Sequence, residues 1–257
     1  MRKGARPSVN SNRMIIIAGW AHTPEDLSPL CALLSPKYDI QVTSTAKLFS
    51  TTDPAFQSLP PASQYAKALY GLVSKHKEPQ VIVAWSMGAL VAIEAVSKLS
   101  PTISRLILIS GTARFCADAD YPHGISEQNI RAMSASLQKR PEEILSGFFR
   151  DSMFPETDAT QKIERKTRKA LSLTPACLND GLTYLRKNDL RNVLPGIHVP
   201  TLVIHGAQDK IIPVSASEFL AKNIPSSRLI VHQDTGHTLI LDRPALIAED
   251  IRTFMEE

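Results

Sequence analysis

Three residue types, at three separate places in the chain, could together do acyl-transfer chemistry. The first is a serine. In Gln80-Val81-Ile82-Val83-Ala84-Trp85-Ser86-Met87-Gly88-Ala89-Leu90-Val91 an apolar β-branched run stops at Ser86, and apolar residues at helical spacing follow. That pattern is a buried strand, a sharp turn and a helix, with the serine at the turn. Ala84 and Gly88, two positions to either side, are small enough to let the strand and helix backbones approach. A hydroxyl placed there lies beside the amides of a helix N-terminus, where an oxyanion can be held. Serine is a weak nucleophile until an imidazole takes its proton, and the resulting imidazolium needs an oriented carboxylate.

Two later loops carry those groups. Asp209 stands three residues past the apolar run Leu202-Val203-Ile204-His205-Gly206. His237 follows the run Arg228-Leu229-Ile230-Val231, in Asp234-Thr235-Gly236-His237-Thr238. Both loops fall at the carboxyl ends of expected strands, the edge where open α/β sheets bind ligands. We therefore expect Ser86 as nucleophile, His237 as general base and Asp209 as the acid that orients it, with Asp234 as the fallback acid. His205 and His232 lie within strands and read as structural. His22 and His123 read as loop residues with no acid placed to orient them. The expected oxyanion donors are the backbone amides of Met87 and of Trp20, the latter in Ala18-Gly19-Trp20 after the first strand. The rings of Trp20, Phe148 and Phe149 are candidates to wall an acyl site, with ordinary packing as the competing reading.

The elements that must position these residues alternate. Strands are expected at Met14–Ile17, Tyr38–Val42, Val81–Ala84, Arg105–Gly111, 200–206 and Arg228–Val231, with helices between most of them. Such alternation implies a mostly parallel sheet covered by helices on both faces, an α/β class. From about Thr112 to Val199 no strand signal appears. Helical periodicity fills that interval at Ser126–Gln138, Pro141–Asp151, Ala159–Leu173 and Pro175–Lys187. The expected organisation is a core of residues 14–111 and 196–257, a helical lid at 112–195 and a flexible basic tail at 1–13.

Bulk properties narrow the class further. Hydrophobic residues make up 43% of the 257 and charged ones 21%, ordinary values for a globular protein. No apolar run approaches the roughly 20 residues that a membrane span needs. Three widely spaced cysteines, Cys31, Cys116 and Cys177, lack metal-ligand spacing and read as reduced thiols of a cytoplasmic protein. The net charge of +4 is mild and does not point to nucleic acid. No residue cluster asks for a metal or an organic cofactor, and we expect a monomer.

The order serine, aspartate, histidine is that of the α/β-hydrolase superfamily, which the chain resembles from Met14 onward in Gly19-Trp20, Trp85-Ser86-Met87-Gly88, Gly206-x-x-Asp209 and Gly236-His237. Within it, Phe115-Cys116-Ala117-x-x-x-Tyr121-Pro122-x-Gly124-Ile125 and Leu182-x-Tyr184-Leu185-x-x-x-Asp189-Leu190-Arg191 resemble the pimeloyl-[acyl-carrier protein] methyl ester esterases of biotin synthesis. That resemblance implies a serine esterase that cleaves the methyl ester of a pimeloyl group borne on acyl carrier protein. It also implies an acidic partner. The segment Lys162-Ile163-Glu164-Arg165-Lys166-Thr167-Arg168-Lys169 holds five bases and one acid, so Lys162, Arg165, Lys166 and Lys169, with Arg131 and Arg150, are expected carrier contacts. Gly147 stands where the family would place a docking arginine. Two other readings share the residues: a general short-chain carboxylesterase or thioesterase, and a non-catalytic binding protein on the same fold.

Overall fold

The computed structural model describes residues 12–257. Residues 1–11 of the expected tail lie outside the described residues, and Arg13, expected in that tail, opens the first strand. The chain begins β1 (Arg13–Ala18), α1 (Ser28–Leu34), β2 (Asp39–Ser44), α2 (Thr45–Phe49), α3 (Gln64–Val73), β3 (Gln80–Trp85), α4 (Met87–Leu99) and β4 (Ile103–Ile109). Four helices follow: α5 (Glu127–Leu137), α6 (Pro141–Ser152), α7 (Thr160–Ala170) and α8 (Pro175–Lys187). The chain then returns to the sheet through β5 (Thr201–Gly206), α9 (Val214–Asn223), β6 (Ser227–His232), α10 (Leu239–Asp242) and α11 (Pro244–Glu256).

All six strands are parallel, in the order β2-β1-β3-β4-β5-β6. Side chains alternate across a strand, so each apolar run feeds two cores. Ile15, Ile17, Ile82 and Ala84 point to the face covered by α3, α4 and the inserted helices. Met14, Ile16, Val81, Val83 and Trp85 point to the face covered by α1 and α11. Burial on both faces is why β3 and β5 read as largely apolar runs without alternation and are buried at every residue.

The helices inserted between β4 and β5 form where their periodicity placed them, and their starts are chemically marked. Ser126 and Thr174 accept hydrogen bonds from the Gln128 and Cys177 amides, and Pro141 opens α6 with Glu142 and Glu143 in its first turn. In pairs, α6 packs on α7 and α5 on α8. Among the described residues no helix is long and apolar enough to cross a membrane.

Candidate active site

Ser86 sits between β3 and α4 with φ 57° and ψ −123°, a backbone conformation that L-residues rarely adopt. The surrounding structure over-determines it. The Ser86 amide donates to the Ile109 carbonyl (2.9 Å) and its carbonyl accepts from Ala89 (2.9 Å). A Cβ on Gly19 would lie 2.8 Å from the Ser86 Cβ, and one on Gly88 would lie 3.0 Å from the Ile17 carbonyl. The loop after β1 and the first turn of α4 thus converge on the serine. Met87, as first residue of α4, has an N–H with no intrahelical partner, and Trp20 follows the glycine that touches Ser86.

The loops after β5 and β6 bring the other two groups in. His237 Nε2 is 2.9 Å from Ser86 Oγ, and His237 Nδ1 is 2.7 Å from Asp209 Oδ2. Asp209 Oδ1 accepts from the amides of Ile211 (2.7 Å) and Ile212 (2.9 Å). Burial alone would raise the Asp209 pKa. The charge of His237 and the hydrogen bonds from His205 and His237 outweigh it and hold the carboxyl well below the usual range. A carboxylate fixed on Nδ1 leaves Nε2 free to take a hydroxyl proton, the arrangement by which a serine becomes nucleophilic. Asp234, the fallback acid, is exposed and does not hold His237.

Several supporting residues were not legible in the sequence. Trp85 Nε1 (3.0 Å) and Ser110 Oγ (3.3 Å) both donate to the His237 carbonyl and so hold its backbone. His205, expected to be merely structural, has Nε2 3.2 Å from Asp209 Oδ2 and 2.9 Å from the Ile212 carbonyl, and Ser217 Oγ is 2.6 Å from its Nδ1. Its only sequence signal was the four-residue spacing to Asp209. His22 requires a correction. Asp26 does orient it: His22 Nδ1 lies 3.1 Å from Asp26 Oδ2, because the short turn Pro24–Leu27 folds the carboxylate back. Burial, partly opposed by Asp26, pushes the His22 pKa down to about 4.

A cavity of about 510 Å³ opens onto Ser86. Trp20, Phe148, Phe115, Ile130 and Leu182 give it apolar walls, while Gly147, Arg150, Lys210, Glu143 and Asp151 also line it. Trp20 is locked by donating Nε1–H to the Leu178 carbonyl (2.8 Å) and meets Phe148 edge-on at 4.9 Å. Phe149, expected beside it, instead turns inward, fully buried with its ring 5.3 Å from His22. The expected carrier contacts divide likewise. Arg150 and Arg165 are exposed, and so are Arg131, paired with Glu127 (2.7 Å), and Lys162, paired with Glu156 (2.7 Å). Lys166 and Lys169 are not free for a partner: both reach Asp26 Oδ1, at 2.8 and 3.1 Å. Their helix uses that face to dock on the core. Lys162, Arg165 and Lys166 also line a second cavity of about 520 Å³ that includes Gly236 and Thr238. Among the described residues, no cluster of three or more His, Cys, Asp or Glu side chains is placed to hold a metal ion.

Fold and site define a class. The family described as alpha/beta hydrolase fold matches residues 60–244, most of the chain, and the chain belongs to that family. Among its relatives, it is 29% identical over 192 residues to the pimeloyl-[acyl-carrier protein] methyl ester esterase of Neisseria meningitidis serogroup B, covering 74% of each chain. It is 25% identical over 239 residues to the enzyme of that name from Nitrosomonas europaea, covering 91% of this chain and 92% of that one. Among solved structures, it superposes on an esterase from Exiguobacterium antarcticum with a TM-score of 0.81, at 20% identity over 96% of this chain and 93% of the other. A bromoperoxidase from Bacillus anthracis gives 0.85 at 18% identity, over 96% and 92%. The last two likenesses speak to fold alone.

Proposed function

We propose that this chain is a serine carboxylesterase that hydrolyses the methyl ester of a pimeloyl group carried on acyl carrier protein, in the synthesis of a biotin precursor. One observation carries the chemistry: the Ser86 hydroxyl, in line with His237 and Asp209, opens into a largely apolar cavity. The relatives' names supply the substrate class. In this reading Ser86 Oγ attacks the ester carbonyl while His237 Nε2 takes its proton. The Met87 and Trp20 amides hold the oxyanion. Collapse of the tetrahedral intermediate breaks the bond to the methoxy oxygen, which leaves as methanol with the proton from His237. Water, activated by the same imidazole, then releases the free carboxylate from the acyl-enzyme. Trp20 and Phe148 wall the acyl chain, and the exposed Arg131, Arg150, Lys162 and Arg165 face the acidic carrier.

A second reading is favoured by one feature. Glu143 and Asp151 beside Arg150 and Lys210 make the cavity rim mixed in charge, which suits a free, uncharged ester. Measuring kcat/KM for the carrier-bound and the free methyl ester side by side separates the two. The carrier reading expects a preference of about tenfold or more that shrinks as salt is raised. Equal efficiencies would leave a general short-chain esterase.

A further inference from the structure

Asp26 is a buried carboxylate near the site with four donors, and the proposed reaction has no use for it. Its side chain is 6% exposed. Oδ1 receives the ammonium groups of Lys166 (2.8 Å) and Lys169 (3.1 Å), both from α7. Oδ2 receives the Thr23 amide (3.1 Å) and His22 Nδ1 (3.1 Å), both from the loop that continues from Gly19 and Trp20. A carboxylate with donors from two segments is a joint between them, and burial makes the joint costly to leave half-made.

Apolar packing on the α7 side is thin. That helix fully buries only Thr167 and Ala170, with Ile163 partly buried, and its helix partner is α6 rather than the sheet. Movement of α7 would not stay local, because α6 packs on it. Phe148 of α6 is both a wall of the Ser86 cavity and the edge-on partner of Trp20. On the loop side, Asp26 sets the His22 ring, which lies 4.3 Å from the ring of Trp85. Trp85 in turn holds the His237 carbonyl.

We infer that Asp26 is a positioning residue that joins the α6–α7 wall of the acyl cavity to the loop bearing the Trp20 amide, so that wall and oxyanion site move as one unit. The inference rests on the proposed esterase activity for its kinetic readout but not for its structural one. In Asp26→Asn the shape stays while the charge that gathers both lysines is lost. In Lys166→Met the carboxylate stays but loses the nearer of its two lysines, so the joint is loosened from the α7 side.

The test combines kinetics with hydrogen exchange on the full chain. With p-nitrophenyl acetate, too small to fill the cavity, Asp26→Asn should lose about tenfold in kcat, as a displaced oxyanion donor would. With methyl octanoate, Lys166→Met should raise KM more than it lowers kcat. The double variant should match Asp26→Asn within about twofold, because both changes break one joint. By exchange, residues 19–27 and 160–170 should lose protection together in either single variant, with β3 and β4 unchanged as evidence of an intact fold. Multiplicative losses in the double variant, or faster exchange confined to one of the two segments, would overturn the joint. If Asp26→Asn does not fold, Lys166→Met carries the exchange test alone. A wild-type chain inert towards both esters would instead sink the esterase reading and leave the exchange result to decide this one.

Discussion

Helices α7 and α8 are neighbours in sequence, both belong to the insertion, and different forces hold them to the core. Helix α8 buries Cys177, Leu178, Gly181, Leu182, Tyr184 and Leu185, an apolar stripe worth several kcal/mol at roughly 25 cal/mol per Å². Its polar ties are sealed within that contact: the Tyr184 hydroxyl donates to Glu94 (2.9 Å), which also receives Ser63 Oγ (2.5 Å) and Lys98 (3.0 Å). Helix α7 has only a narrow apolar contact, Ile163 and Ala170, and adds to it two lysines meeting one carboxylate. Apolar contact is non-directional and nearly indifferent to salt and pH, whereas ion pairing is neither. The insertion is therefore anchored at one end and conditionally docked at the other, and α6, which packs on the docked helix, carries Phe148 of the cavity wall.

Four measurements would break or sharpen that contrast. The largest effect belongs to the core: Ser86→Ala should lower ester hydrolysis by about 10³-fold or more with little change in stability, as read by kcat/KM and thermal melting. A smaller loss would mean that the insertion, not the sheet edge, holds the reacting group.

Next is the pH dependence at the docked end. His22 titrates near 4 in the folded chain, lowered chiefly by burial, with Asp26 opposing and Lys166 and His237 adding to the shift. It titrates near 6.5 when unfolded. The unfolded chain thus binds the proton first as pH falls. This contribution is complete above about pH 6.5, fades by about 3 kcal/mol down to pH 4, and is flat below. His22→Asn keeps a donor for Asp26 and cannot titrate, so its unfolding free energy should lack that slope in denaturant melts across pH 4–7.

Third, Tyr184→Phe removes one donor from a buried carboxylate and should cost about 1–2 kcal/mol in denaturant unfolding, with no added salt dependence. Faster exchange of α7 in that variant would show that the two anchors are not independent. The smallest change is a gain. A Cβ on Gly147 in α6 would meet no atom within 4 Å, so Gly147→Ala should stabilise by about 0.5–1 kcal/mol, raising Tm by about 1–4 °C. A loss would mean that the cavity wall is packed more tightly than the open space implies.

Much of the architecture was legible because it follows from local periodicity. The six strands, α4 and the four inserted helices all announce themselves through apolar spacing and marked ends. The short helix α2 does not, having only five residues, and α9 hides because its inward face includes the polar Ser217. At the site, Ser86, Asp209 and His237 were readable as candidates from residue type, chain order and strand-end position, and the structure brings them within hydrogen-bond distance. The basic run of α7 was readable only as charge. Nothing in residues 162–169 says that Lys166 and Lys169 turn towards a carboxylate about 140 residues earlier.

The chain's own order determined which elements form, because turn chemistry and the periods of two and 3.6 residues act between near neighbours. Tertiary structure alone decided which distant groups meet a carboxylate: Lys166 and Lys169 at Asp26, and the Tyr184 hydroxyl at Glu94. The physical reason is solvation. A carboxylate far from its partners in sequence is simply hydrated. Once folding strips that water away, the partners that assembly happens to supply determine its cost and its role.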